Sequence, residues 1–258
     1  MDDVTLAIGG LRLVITASDP ELIGLARRRY DGFIVAGDGE WRLDVDVRAD
    51  GYPPTEELDV RRLDDAFTVG RQDVRGRIDL RARRAHASLW RADELPLDAF
   101  LRVLFSLALA EEGGLLVHAA SLVRAGRAYL FPGRSGAGKT TLARLSTDVL
   151  LLSDEVSLVR DGRCHGTPFW GELGRGGETG AAPLAAIHFP VHADHHATRP
   201  LGPRAALQRL LPTVIFFAHD ASLVARVFEA ADTLVSHTPC FELHFRRDPG
   251  FWSAIEHG

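Results

Sequence analysis

Lysine occurs once in these 258 residues, as Lys139, and the other 29 of the 30 Lys and Arg residues are arginines. Drift toward arginine accounts for the missing lysines but not for the survivor. That lysine lies in Gly133-Arg134-Ser135-Gly136-Ala137-Gly138-Lys139-Thr140, which meets the pattern G-x-x-x-x-G-K-[ST] at every defined position. Arginine is a wide planar fork and lysine a compact charge on a flexible stem, so a cradle shaped around one ammonium does not accept the exchange. In such a loop the glycines let the backbone curl until successive N–H groups face the β- and γ-phosphates of ATP, and the following helix adds its dipole. Lys139 would bridge phosphate oxygens, and Thr140 would place its hydroxyl on Mg²⁺. The expected nucleotide-binding set runs from Gly133 through Arg134, Ser135, Gly136, Ala137, Gly138, Lys139 and Thr140 to Thr141. A glycine turn with an incidental Lys-Thr is the alternative.

A second group follows closely. Leu150-Leu-Leu-Ser-Asp154-Glu155 reads as an apolar strand that ends in two carboxylates. One carboxylate of such a pair can hold a metal through water, and the other can take a proton from an attacking group. An exposed acidic bend would look the same in sequence. The spacing is sharper, because only 15 positions separate Lys139 from Asp154, room for one short helix and a turn. Many phosphate-loop ATPases and GTPases place this strand much later.

These groups need elements to hold them. Residues 115–123 and 128–131 read as strands joined across Arg124-Ala-Gly-Arg127, the second leading into the glycine loop. A helix is expected from 138 to about 147, then one strand over 149–160. The glycine-rich stretch 171–180 reads as a mobile loop, with helices at 203–217 and 221–236, a strand at 240–246 and a short helix from Pro249. The first half reads as β-rich: a hairpin over 4–15 around Gly9-Gly10, a helix after Asp19-Pro20, strands at 41–47, 67–80 and 85–90, and a helix over 95–112 stopped by Gly113-Gly114. The expected organisation is an N-terminal domain over 1–112 that helps dock substrate and a catalytic domain over 113–258.

Net charge of -5 leaves no positive field for nucleic acid or an anionic membrane, so neither is expected as a partner. Two cysteines, Cys164 and Cys240, without a pairing pattern suit a reduced cytoplasm. The acidic opening Met-Asp-Asp-Val is not that of a signal peptide, and the apolar stretch over 100–110 is broken by Arg102 and too short to span a bilayer. A cytoplasmic protein is expected.

Taken together, Leu116-Val-His118-Ala-Ala-Ser-Leu-Val, the stretch Tyr129 to Ala143 with its loop, and Leu151-Leu-Ser-Asp-Glu-Val resemble the catalytic domain of HPr kinase/phosphorylase and its looser bacterial relatives, and more distantly ATP-dependent phosphoenolpyruvate carboxykinase. The likeness covers about 114–172. It implies an α/β phosphate-loop kinase domain of that type behind a smaller β-rich α+β domain. It also implies an ATP- and Mg²⁺-dependent enzyme that phosphorylates a serine hydroxyl of a peptide or protein. In that alignment His118 falls on a functional strand histidine, Asp154 on the proton-handling Asp, and Glu155 on a second family Asp, leaving Thr140 and Glu155 to hold Mg²⁺. Ala119 stands where the family has Gly, and its downstream signature segment is missing, so HPr itself is not inferred as acceptor. Thr167-Pro-Phe-Trp-Gly-Glu172 resembles a segment of the looser relatives, some of which accompany peptide-modifying gene clusters. Arg175 could then neutralise a transferring phosphoryl, a role for which Arg134 and Arg199 compete. HPr kinases form hexamers, which leaves a homo-oligomer open.

Two other readings stay beside the protein kinase. One is a regulator that binds ATP as a ligand without transfer, and the other is a small-molecule kinase. A GTPase that reads guanine through Asn-Lys-x-Asp is disfavoured, since that motif needs a second lysine. Of the weaker signals, His188, His192, His195 and His196 read as a solvated loop, with a metal site the alternative. Arg71, Arg75, Arg77, Arg81, Arg83 and Arg84, interleaved with Asp73 and Asp79, read as the wet face of a sheet, with acidic-peptide docking the alternative. Trp41, Trp90, Trp170 and Trp252 are expected to pack in cores.

Overall fold

The computed structural model describes residues 2–48 and 57–257. The chain is mixed α/β, with two sheets and, among the described residues, six α-helices. It divides into two compact units, 1–112 with 216–225, and 113–215 with 226–258.

In the first unit, β1 (Asp2–Ile8) and β2 (Leu11–Ala17) form a hairpin about Gly9 and Gly10, both at positive φ. Helix α1 (Pro20–Arg29) starts where the Asp19 carboxylate accepts the Glu21 amide and Pro20 sets the first turn. Then come β3 (Trp41–Val47), β4 (Asp59–Leu63), β5 (Ala66–Arg71), β6 (Val74–Asp79), β7 (Arg84–Leu89) and α2 (Glu94–Glu111). The sheet order is β1-β2-β3-β7-β6-β5-β4, with β2, β3 and β7 parallel. Trp41, Leu43 and Val45 alternate into the core from β3, the period that marked this strand in the sequence. The run 67–80 is a hairpin, β5 and β6, with β4 added at the edge. On its solvent side Arg71 holds Asp73 through two bonds of 2.7 Å.

The second unit contains β8 (Leu115–Arg124), β9 (Arg127–Pro132), α3 (Lys139–Leu145), β10 (Leu150–Ser153), β11 (Val156–Arg160), β12 (Arg163–His165), β13 (Ala181–His192), β14 (Ala197–Leu201), α4 (Pro203–Leu210), most of α5 (Ala221–His237), β15 (Cys240–Phe245) and α6 (Phe251–His257). Strand β8 organises it. One edge of β8 pairs antiparallel with β10 and β11, and the other with β9 and with Val214. Strand β9 runs parallel to β13, and β13 parallel to β15, so the glycine loop leaves the sheet at the C-terminal ends of parallel strands. Pairings β8–β9, β9–β13, β13–β12, β12–β11 and β11–β8 also close a circuit.

Several expectations change here. The strand over 149–160 is two strands, because the Ser153 hydroxyl takes the amides of Glu155 (3.2 Å) and Val156 (3.0 Å) and bends the chain between them. The expected helix over 203–217 ends as α4 at Leu210 and passes through a 3-10 turn, Leu211–Thr213, so that Ile215 can donate to Leu116 at 2.8 Å. The stretch 171–180, expected as a mobile loop, is laid down on β10: Thr167 N–H reaches Leu152 O (3.1 Å) and Glu178 N–H reaches Leu151 O (2.8 Å). At Gly177 a Cβ would stand 1.7 Å from Leu152 O, so glycine there permits a backbone-to-backbone approach. The four histidines are not one solvated loop. His188 and His192 belong to β13, and His188 is buried. Trp170, expected in a core, is 39% exposed.

Candidate functional site

The glycine loop is fixed from below. Leu142 and Ala143 of α3 pack with Ala120 and Leu122 of β8, Phe131 of β9, Leu151 of β10, Phe245 of β15, and Phe251 and Trp252 of α6. Gly133 N–H donates to His118 O at 3.1 Å, tying the loop's start to β8. Gly136 and Gly138 adopt φ of 80° and 99°. A Cβ at Gly138 would lie 2.5 Å from the Phe245 ring, so this position requires glycine both for conformation and for space. His192 Nε2, from the end of β13, donates to Gly136 O at 3.0 Å. Within the loop Ala137 N–H returns to Arg134 O and Leu142 N–H to Gly138 O, while the amides of Gly138, Lys139, Thr140 and Thr141 find no acceptor among the described residues. Arg134, Ser135 and Gly136 are exposed, and Thr140 and Thr141 half-buried.

Lys139 is only 5% exposed, and its Nζ donates to Arg134 O at 3.2 Å. Burial lowers its pKa, opposed by the charges of Glu155, Glu172 and Asp154. The charges of three carboxylates thus act on one lysine. Two come from the bend that Ser153 makes. Asp154 is 1% exposed, and its Oδ2 accepts the Leu173 amide at 3.0 Å. Burial pushes its pKa up, against the backbone hydrogen bonds, and neighbouring Glu155 pushes the same way. Glu155 Oε1 pairs with His118 Nε2 at 3.1 Å, reached from the facing strand where His118 is registered opposite Val156.

The structure therefore gathers His118, Lys139, Asp154 and Glu155. Arg175 stands exposed and makes no hydrogen bond or ion pair among the described residues, and Arg199 lies exposed on β14. Glu172, His192 and Phe245 are participants that motif reading did not assign. Glu172 was at the end of the Thr-Pro-Phe-Trp-Gly-Glu segment, but nothing local to it pointed at Lys139. Among the described residues no group of three His, Cys, Asp or Glu side chains could hold a metal, the histidine cluster included. Glu155 with the Thr140 hydroxyl is a donor pair of the kind magnesium takes when phosphate oxygens and water complete its shell.

Fold and site define a mixed α/β protein with a glycine-lysine loop set against a buried Asp-Glu bend. Residues 93–258 match the family model of ScmC, described as a SynChlorMet cassette protein, and the chain belongs to that family. The resemblance to HPr kinase/phosphorylase and phosphoenolpyruvate carboxykinase is corrected by this match. It rested on three short motifs around one site, whereas the ScmC match runs from α2 to the last residue. No curated protein matches the chain.

Proposed function

We propose that the second unit is a phosphate-loop kinase domain that transfers the γ-phosphoryl group of ATP to a hydroxyl, a serine of a peptide or protein. The observation that carries this is the buried Lys139 under the charges of Glu155, Glu172 and Asp154, with burial raising the Asp154 pKa so that its ionised carboxylate is a stronger proton acceptor. In the reaction the acceptor oxygen bonds to the γ-phosphorus as the bond to the β–γ bridging oxygen breaks. ADP leaves with that electron pair, and the hydroxyl proton goes to Asp154. Lys139 and the loop amides hold phosphate oxygens. Thr140 and Glu155 hold Mg²⁺, which supplies charge neutralisation, and His118 positions Glu155 by their 3.1 Å contact. Such catalysis is mainly positioning and electrostatics, which suits a site of fixed charges on a packed loop.

A specific observation favours a second reading, an ATP-binding regulator without transfer: Asp154 Oδ2 already holds the Leu173 amide, as a structural carboxylate would. Turnover separates the two. Purified chain with Mg-ATP and a peptide encoded beside it should transfer labelled phosphate to a serine, and Asp154→Asn should stop transfer while ATP still binds. Absence of transfer to peptides and small hydroxyl compounds, with ATP bound, would select the regulator.

A further inference from the structure

A cavity of about 200 Å³ lies in the second unit and is lined by Arg127, Tyr129, Ala185, Ala186, His188 and Phe241 among others. Arg127 and Tyr129 begin β9, whereas the glycine loop follows its end, so the two sites use different parts of the strand.

Three observations meet there. First, His188 is 2% exposed, and neither ring nitrogen has a hydrogen-bond partner among the described residues. Its ring is stacked on Phe241 (5.1 Å, 15°) and Phe131 (5.9 Å, 25°), so packing fixes its plane and leaves both nitrogens unanswered. A neutral imidazole carries one donor and one acceptor, and burying both unpaired costs about 1–3 kcal/mol for each group, a cost that phenylalanine in the same stack would avoid. Second, β13 slips register against β9 between Leu184 and Ala186, a bulge within the cavity wall. Bulges in parallel pairing are rare and collect beside functional sites. Third, the two alanines at the bulge leave open space beside aromatic faces, while Arg127 brings a guanidinium to the exposed side.

We infer that this cavity binds a small planar aromatic anion, its ring against Tyr129 and Phe241, its acid group on Arg127 and a polar atom on His188. The volume admits one ring with a short acid group. Aromatic walls with a few convergent polar groups are the usual composition of small-molecule sites. Burial lowers the His188 pKa to about 4, so at neutral pH the ring is uncharged and can accept as well as donate.

Benzoate is the probe, titrated into the full chain by calorimetry, with benzamide as its uncharged counterpart. Saturable binding of benzoate is expected, with benzamide about tenfold weaker, the loss expected when one charge-assisted hydrogen bond goes. Arg127→Ala, on an exposed side chain, and His188→Phe, which keeps the stack, should each weaken benzoate about tenfold. His188→Phe should not lower the melting temperature of the ligand-free chain. No saturable benzoate binding, equal affinity for benzamide, or unchanged affinity in either variant would overturn the inference. The titrations need no nucleotide, so their outcome is independent of the kinase proposal.

Discussion

Asp98 and Asp154 are both buried carboxylates, one in each unit, and they are held in opposite ways. Asp98, on α2, takes the Tyr30 hydroxyl at 2.5 Å and pairs with the buried Arg29. Burial, and then the Asp98 charge, raise the Tyr30 pKa well above its ordinary value, so the phenol stays a donor. Among the described residues Asp154 has only backbone amides for hydrogen-bond partners, and it sits beside a like charge, Glu155. Asp98 is therefore spent on joining α1 to α2, with its charge answered by a guanidinium. Asp154 keeps a charge that the fold answers poorly, and a carboxylate in that condition is available to take a proton.

The largest test of this contrast is stability. Asp98→Ala removes one partner of a buried pair and leaves the Arg29 guanidinium without this carboxylate, so it should cost about 3–5 kcal/mol in urea unfolding. Asp154→Asn should show the reverse pattern: stability held or raised, and phosphate transfer lowered about 10²–10⁴-fold, the range for losing a general base. A variant of Asp154 that unfolds as readily as Asp98→Ala would make both carboxylates structural and break the contrast.

Smaller effects sharpen the loop's side of it. Gly138→Ala places a side chain at φ 99° against Phe245. It should cost about 1–3 kcal/mol of stability, measured by thermal unfolding, and weaken ATP with it. Lys139→Arg keeps the charge but not the shape of the ammonium. It should raise the Kd for Mg-ATP about tenfold without unfolding the chain, and an unchanged Kd would show that the cradle reads charge alone.

Legibility in the sequence divides along similar lines. The strand before the glycine loop and the helix after it were legible because their signals are local in sequence, as were the hairpin about Gly9 and the helix that Asp19 caps. Strand β13 was not legible. Its Ala-Ala-Pro-Leu-Ala-Ala-Ile-His-Phe-Pro-Val-His has few β-branched residues and two prolines, and a run of buried residues from Ala186 to Phe189 hides any alternation. With β13 unseen, His188 and His192 read as a loop, and the contact from His192 to Gly136 could not be foreseen. The break between β10 and β11 depends on one hydroxyl, Ser153, whose bonds leave no periodic signature. The charge of Glu172 acts on Lys139 because the glycine-rich stretch folds back on β10, which a composition rich in glycine does not announce.

The smallest predicted effect is a pH dependence that follows from burial of the site carboxylate. The Asp154 pKa lies above its ordinary 3.8 in the native chain, so between those two values the native state holds a proton that the unfolded state has lost. Its contribution to stability is fully present below 3.8 and is lost as pH rises through the native value. Lys139, lowered from 10.5, acts at the other end: its contribution is present above 10.5 and is lost as pH falls through the native value. Asparagine at 154 resembles the protonated acid and does not titrate. The stability of Asp154→Asn minus that of the unaltered chain should therefore be near zero at the acid end and grow in favour of asparagine toward neutral pH. Urea unfolding of both chains across that range measures the difference. A difference that does not change with pH would mean that the buried carboxylate is as well answered as Asp98, and would remove the reason for assigning it the proton.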